Sequence, residues 1–235
     1  MDKNHVIAVV PAAGIGSRMQ ASVPKQYMRL FAGGPCIIEA TVRLLLNSGL
    51  FDAVFVAVSK DDGWIQQMDL AKAQILRTGG QSRAHTVLQT LEAIAPQYGK
   101  NDLVLVHDAA RPFVDESILE RAYVAVSECK ACVVGMPSKD TVTIVEPDGY
   151  AKETPNRNYV WIVQTPQVFD VSLIKEAHSK LEAIEKIMTI SVTDDAMVVE
   201  HMLGVRVRLV EGSYENIKIT TPDDLLVANS FLKKD

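Results

Sequence analysis

The stretch Val6-Ile7-Ala8-Val9-Val10-Pro11-Ala12-Ala13-Gly14-Ile15-Gly16-Ser17-Arg18-Met19 decides how this chain is read. Its opening apolar run is a strand buried on both faces. The small residues after it let backbone N–H groups approach a phosphate chain closely. Pro24-Lys25-Gln26 follows, so Arg18 and Lys25 stand beside the glycines. Two such cations suit the charge that develops when phosphorus is attacked and pyrophosphate departs. The loop is not a dinucleotide fingerprint, because Met19 stands where a third glycine is required. It is not a Walker loop either, since Lys25 lies nine residues beyond Gly16 and neither Ser nor Thr follows it. The loop therefore reads as a polyphosphate cradle at the end of a first strand.

Outward from this loop, short β-branched runs alternate with amphipathic stretches. Val6 to Val10, Ala53 to Val58, Leu103 to Val106 and Ala131 to Gly135 are expected strands. Ile37 to Ser48 has helical spacing and stops at Gly49, and Ser82 to Ala95 starts at a serine cap and stops at Pro96. Asp115 and Thr193 are expected caps of two further helices, and Thr221-Pro222 puts proline at the first helical position. The pattern predicts an α/β fold, a Rossmann-like, mostly parallel sheet with helices on both faces, and a single domain over 1–235. One segment, 138–158, breaks the rhythm. Thr141 to Val145 alternates like an exposed strand, Glu146-Pro147-Asp148-Gly149 is a turn, and Tyr150 to Pro155 runs back. A ribbon of this kind is marginal alone, so a protruding β-hairpin arm that packs on a second copy is expected, making a homodimer.

Composition narrows the function. The 235 residues are 48% hydrophobic and 23% charged, an ordinary globular balance with room for one sizeable core. The apolar run before Pro11 is too short for a signal-peptide core or a membrane span, and three cysteines suit a reducing compartment, so a cytoplasmic location is expected. The formal net charge of -5 argues against nucleic acid as a partner. Cys129-Lys130-Ala131-Cys132 has no second pair to complete a zinc site, and Trp64 and Trp161 read as packing residues. Lys233-Lys234 reads as solvated.

Asp108 ends a strand expected to be central, where ligands of open α/β sheets collect. A hard cation such as magnesium needs only one or two protein carboxylates beside phosphate oxygens, which makes Asp108 the expected ligand of Mg2+ or another divalent cation. His107 is expected to be packed rather than catalytic.

Pro11-Ala12-Ala13-Gly14, Gly16, Arg18-Met19 and Lys25 together resemble the signature of nucleotidyltransferases. The resemblance extends along the chain through Gly79-Gly80-Gln81-Ser82-Arg83, Val106 to Pro112, Asp140-Thr141, Gln164-Thr165-Pro166-Gln167, Thr193-Asp194-Asp195-Ala196 and Glu211 to Thr220. In that order these blocks are similar to the 2-C-methyl-D-erythritol 4-phosphate cytidylyltransferases of non-mevalonate isoprenoid biosynthesis. The resemblance implies CTP and a polyol phosphate as substrates. It implies Arg18, Lys25, Arg157 and Lys218 as catalytic residues. Pro11, Ala12, Ala13, Gly14, Gly16, Lys25, Gly80, Gln81, Thr86 and Ala109 would bind the nucleotide. Asp108, Arg111, Thr141, Arg157, Thr165, Thr193 and Lys218 would surround the acceptor. It further implies that Arg157, just after the arm, serves the opposite subunit. Lys218 lies in a β-rich run, Asn216 to Thr220, and without the resemblance reads as an outward-facing strand lysine. A phosphate monoester is largely a dianion at neutral pH, so the reaction needs no general base. An enzyme acting on ribitol 5-phosphate or another alditol phosphate would share most of these residues. An NAD-dependent oxidoreductase or a non-catalytic nucleotide sensor fits less well, given the missing glycine and the clustered cations.

Overall fold

The computed structural model describes residues 4–14, 16, 19, 21–183 and 192–232. The strands are β1 (Val6–Pro11), β2 (Ala53–Ala57), β3 (Gln74–Leu76), β4 (Leu103–Val106), β5 (Ala131–Pro137), β6 (Ile144–Val145), β7 (Ala151–Glu153), β8 (Trp161–Asp170) and β9 (Arg208–Glu211). The helices are α1 (Ile37–Asn47), α2 (Arg83–Ile94), α3 (Glu116–Glu128), α4 (Val171–His178), α5 (Asp195–Leu203) and α6 (Pro222–Phe231). Seven strands form one sheet in the order β3-β2-β1-β4-β8-β5-β9. All neighbours are parallel except β8, which runs antiparallel to β4 and β5. The expected mostly parallel α/β sheet is therefore present. The ten-residue β8 was absent from the sequence reading, because its central Gln164-Thr165-Pro166-Gln167 interrupts any apolar run.

Strand alternation distributes the core to two faces. In β1, Ala8 and Val10 join Ile38, Val42 and Leu45 of α1 and Ile118, Leu119 and Ala122 of α3. Ile7 and Val9 point the other way, onto Val87 and Leu91 of α2, Ile174 of α4 and Val198 and Val199 of α5. Each of these side chains is excluded from water, and full burial of an aliphatic side chain contributes about 1.5–3 kcal/mol. Because α1 lies on one face and α2 on the other, the loops that enter these two helices diverge at the carboxyl edge of the sheet, where the strand order turns from β1-β2-β3 on one side to β4 on the other. That divergence is the topological switch point at which open sheets bind ligands.

Helix starts follow the expected chemistry at Ser82, which accepts from the His85 amide, and at Thr221, which shares a capping box with Asp224. The cap of α5 is Asp194, not Thr193. The Asp194 carboxylate accepts from the Met197 amide at 2.7 Å, and Thr193 sits exposed one residue earlier. The arm exists as a two-stranded antiparallel ribbon, but its paired strands are shorter than the alternation suggested. Gly149, at φ +90°, closes its turn, and the Glu146 amide donates to the Tyr150 carbonyl at 2.8 Å. Asn216 to Thr220 is not a strand. The Ile219 amide donates to Ala110 O, and Ile217 and Ile219 pack with Leu30, Ile37 and Ala228 instead of joining a ladder.

Asp115 caps α3 by accepting from the Ile118 amide at 2.8 Å. Asp115→Ala should lower stability by about 1 kcal/mol, read as a Tm drop of about 2–4 °C in thermal unfolding.

Candidate functional site

A cleft of about 510 Å³ opens at the switch point. Its walls come from the loop after β1, the start of α2, the end of β4 and the segment before α6. Pro11, Ala12, Ala13, Gly14, Gly16 and Lys25 line one side, Gly80, Gln81 and Thr86 another, and Asp108, Ala109 and Lys218 the floor. Every residue expected to bind nucleotide is thus on one cleft. Arg18 lies outside the described residues, as do Lys233 and Lys234.

The loop is held from behind by side chains. The Gln26 amide donates to Ala12 O at 2.8 Å and Gly14 O at 3.0 Å, and the Ser59 hydroxyl donates to Ala13 O at 3.1 Å. These bonds take the loop carbonyls away from the cleft, where they would repel phosphate. Gly16 adopts φ +66°, and a Cβ there would meet Lys25 Cγ at 2.9 Å, so loop and lysine stem fit only with glycine. Lys25 Nζ donates to Ile219 O at 2.9 Å. On the opposite wall the Gly80 amide donates to Thr86 Oγ1 at 3.1 Å, joining the start of α2 to the turn before it.

Asp108 gathers the cations. Its Oδ1 accepts from Arg83 Nε at 2.7 Å, its Oδ2 lies 2.6 Å from Lys218 Nζ, and Arg111 Nε is 4.0 Å away. Burial by itself would raise this carboxyl, but Arg83, Lys218 and Arg111 outweigh it and hold the group well below the usual carboxylate range. Lys218 therefore lines the cleft in an ion pair with Asp108 and is not an outward-facing strand lysine. A metal ion on Asp108 would face three cations and would have to displace Lys218. Among the described residues no group of three or more His, Cys, Asp or Glu side chains converges. Asp108 is engaged by cations in this chain, and a divalent cation could meet it only in exchange for Lys218.

The acceptor residues are dispersed. Arg111 Nη1 donates to Asn216 O at 2.7 Å beside the cation cluster. Thr165 is buried, and its hydroxyl accepts from the Asp108 amide at 3.0 Å and faces His107 Nδ1 at 3.1 Å. Thr141, Arg157 and Thr193 are exposed and are not on the cleft. Arg157 lies in a single 3-10 turn after the arm, with Nη1 donating to Lys139 O at 3.2 Å. The sequence reading missed Gln26 as the support of the loop and Arg83, Asp195 and His178 as ionic partners behind it. One signal was present for Arg83: a cation at the first position of a helix opposes the helix dipole unless carboxylates compensate it.

A sheet that opens a nucleotide-sized cleft at its switch point, and arms it with lysines rather than an acid–base pair, is the architecture of a nucleotidyltransferase. The family model described as IspD, 2-C-methyl-D-erythritol 4-phosphate cytidylyltransferase, matches residues 6–234. A 2-C-methyl-D-erythritol 4-phosphate cytidylyltransferase of Geobacter metallireducens is 41% identical over 235 residues, covering 97% of this chain and 98% of that protein. The solved 4-diphosphocytidyl-2C-methyl-D-erythritol synthase of Anaerococcus prevotii superposes with a TM-score of 0.81 at 32% identity, covering 98% of this chain and 97% of that one. The Francisella tularensis cytidylyltransferase gives 0.80 at 30% identity, covering 97% and 99%. The chain belongs to the 2-C-methyl-D-erythritol 4-phosphate cytidylyltransferase family.

His107 is not a proton-transfer group. Its Nε2 faces Arg111 O at 3.0 Å, a pure acceptor, so Nε2 carries the proton and Nδ1 accepts from Thr165. Burial pushes its pKa down from 6.5 to about 4. The unfolded chain takes up a proton that the folded one refuses, so this contribution is intact above about pH 6.5 and is lost as pH falls toward about 4. The loss should reach about 3 kcal/mol at most, and His107→Gln should flatten that part of the curve in urea unfolding measured across the window.

Proposed function

We propose that this protein transfers a cytidylyl group from CTP to 2-C-methyl-D-erythritol 4-phosphate, giving 4-diphosphocytidyl-2-C-methyl-D-erythritol and pyrophosphate in non-mevalonate isoprenoid biosynthesis. The observation that carries this reading is the convergence of Lys25, Lys218 and the glycine loop on one cleft whose Asp108 is already neutralised by cations. A phosphate oxygen of the acceptor attacks the α-phosphorus of CTP, the bond from that phosphorus to the bridging oxygen breaks, and the electron pair leaves with pyrophosphate. The acceptor phosphate is already ionised, so no residue has to remove a proton. The small loop residues Ala12, Ala13 and Gly14 admit the triphosphate, while Gly80, Gln81, Thr86 and Ala109 face base and ribose. Lys25, with Arg18, stabilises charge on the phosphates, and Lys218 neutralises the attacking oxygen near Asp108. A divalent cation, when bound, would be held by Asp108 in exchange for Lys218 and would supply charge neutralisation to the phosphates.

The chain is read as one nucleotidyltransferase domain over 1–235 with the 138–158 arm as its dimerisation element. The arm and the start of β8 expose Val145, Tyr150, Tyr159 and Ile162, and this single chain leaves Tyr150 76% and Tyr159 84% accessible. A second copy would cover them and bring Arg157 and Thr141 to the partner's acceptor side. A reducing, cytoplasmic setting suits the free Cys36, Cys129 and Cys132. Among the described residues no helix is long and apolar enough to cross a membrane.

Pyrophosphate release from CTP, measured with methylerythritol phosphate and ribitol 5-phosphate side by side, tests the acceptor. Methylerythritol phosphate should be preferred at least about tenfold in kcat/KM, the lower end of the scale on which a fitted pocket reads a single methyl or methylene group. Shared sites are tested by mixing Arg157→Ala with Lys25→Ala protein under subunit exchange. Each alone should be nearly inactive. Half the dimers become hybrids with one intact site, so activity should recover to about one quarter of wild type if sites act independently. No recovery despite demonstrated exchange would confine Arg157 to its own subunit.

A further inference from the structure

From the cleft floor inward runs a line of paired polar groups whose inner members, Arg83, Asp195 and His178, the reaction as described does not use. Lys218 Nζ lies 2.6 Å from Asp108 Oδ2, and Asp108 Oδ1 accepts from Arg83 Nε at 2.7 Å. Arg83 Nη1 reaches Asp195 Oδ2 at 2.7 Å, and Asp195 Oδ1 faces His178 Nε2 at 3.0 Å. Asp195 and His178 are fully buried. Asp195 is fixed on its backbone side as well, because Gln167 Oε1 accepts from the amides of Asp195 and Ala196 at 3.0 and 2.9 Å. The far end of the line is thus anchored among α4, α5 and β8, and the near end is the ammonium that faces the attacking phosphate.

We infer that Arg83 is a positioning residue: it clamps Asp108 between the buried Asp195 anchor and Lys218, and so sets where the Lys218 ammonium stands. This deepens the proposed cytidylyl transfer and rests on it. Arg83 does not act on substrate itself. Arg83 lines the cleft, but its Nε and Nη1 are committed to carboxylates and its Nη2 is buried with no hydrogen-bond partner among the described residues, which leaves no exposed donor for a substrate. A single unbraced carboxylate could swing on its χ angles and carry Lys218 with it. The planar guanidinium prevents this, because it engages two carboxylates at once in a fixed fork. Lysine at this position would keep the charge but lose the fork, since one ammonium on a flexible stem cannot reproduce two aligned donors. The geometry also joins the two halves of the reaction. Arg83 begins the helix that follows the nucleotide-side turn, and Asp195 lies two residues after Thr193, an expected acceptor contact.

A double-mutant cycle tests this in the full-length enzyme, with Arg83→Lys, Lys218→Ala and the pair assayed by pyrophosphate release, and thermal melts run on each. Arg83→Lys should lower kcat about 10- to 100-fold with KM for CTP changed less than about threefold, and should still melt cooperatively. In the Lys218→Ala background the same substitution should cost less than about threefold more, because the residue through which it acts is already gone. Asp195→Asn, at a buried residue that does not line the cleft and reaches it only through Arg83, should show the same non-additivity. Additive losses in both cycles, unchanged kcat in Arg83→Lys, or loss of its cooperative melt would overturn the proposal, the last by making the arginine a residue of the fold. If Lys218→Ala itself retained wild-type turnover, the reading of the reaction would fail instead, and the two failures are distinguishable.

Discussion

A buried carboxylate cannot stay ionised without compensation, and that constraint at Asp108 organises the site. Desolvation of the charge would cost several kcal/mol if it stood alone. The fold supplies Arg83, Lys218 and Arg111 around it, drawn from α2, the segment before α6 and the turn after β4. Each cation is far from Asp108 in sequence except Arg111, so the ion cluster ties three parts of the chain to the end of the central strand. The same cluster leaves positive charge facing the cleft, which is what an incoming triphosphate and a second phosphate need.

The sheet topology explains why these parts meet. β1 and β4 are adjacent and parallel, and the helices after β1 and before β4 lie on opposite faces. Their loops separate at the carboxyl edge and leave a crevice rather than a covered surface. The crevice floor carries Asp108 and Ala109, and its rim carries the glycine loop. Gln26 and Ser59 turn the loop carbonyls back toward the protein, which leaves the cleft side to N–H groups and cations.

Apart from Arg18, which lies outside the described residues, the residues expected to bind the nucleotide line one cleft, whereas the expected acceptor residues Thr141, Arg157 and Thr193 stand away from it. Arg157 and Thr141 stand at the base of an exposed ribbon, away from the cleft. In the proposed dimer, one docking event would cover the exposed apolar residues of the arm and carry Arg157 toward the partner's cleft.

Strand and helix periodicity, the glycine loop and the cap residues at Ser82, Asp115 and Thr221 determined the fold class and one wall of the site, because these are local patterns with local physical causes. The terminal strand β9 and the long antiparallel β8 were hidden, since polar residues such as Gln164 and Gln167 are buried there through bonds to distant groups. Thr193 and Asp194 are adjacent polar residues, and only the hydrogen bond to the Met197 amide decides which one caps. Lys218 was legible as a site residue only through family resemblance, because lysine is usually exposed and nothing in its neighbours announces a carboxylate 110 positions away. The ionic line from Lys218 to His178 belongs wholly to the tertiary structure. Sequence spacing specifies which side chains share a strand or a helix face, but charges separated by long stretches of chain are paired only once the sheet has closed around them.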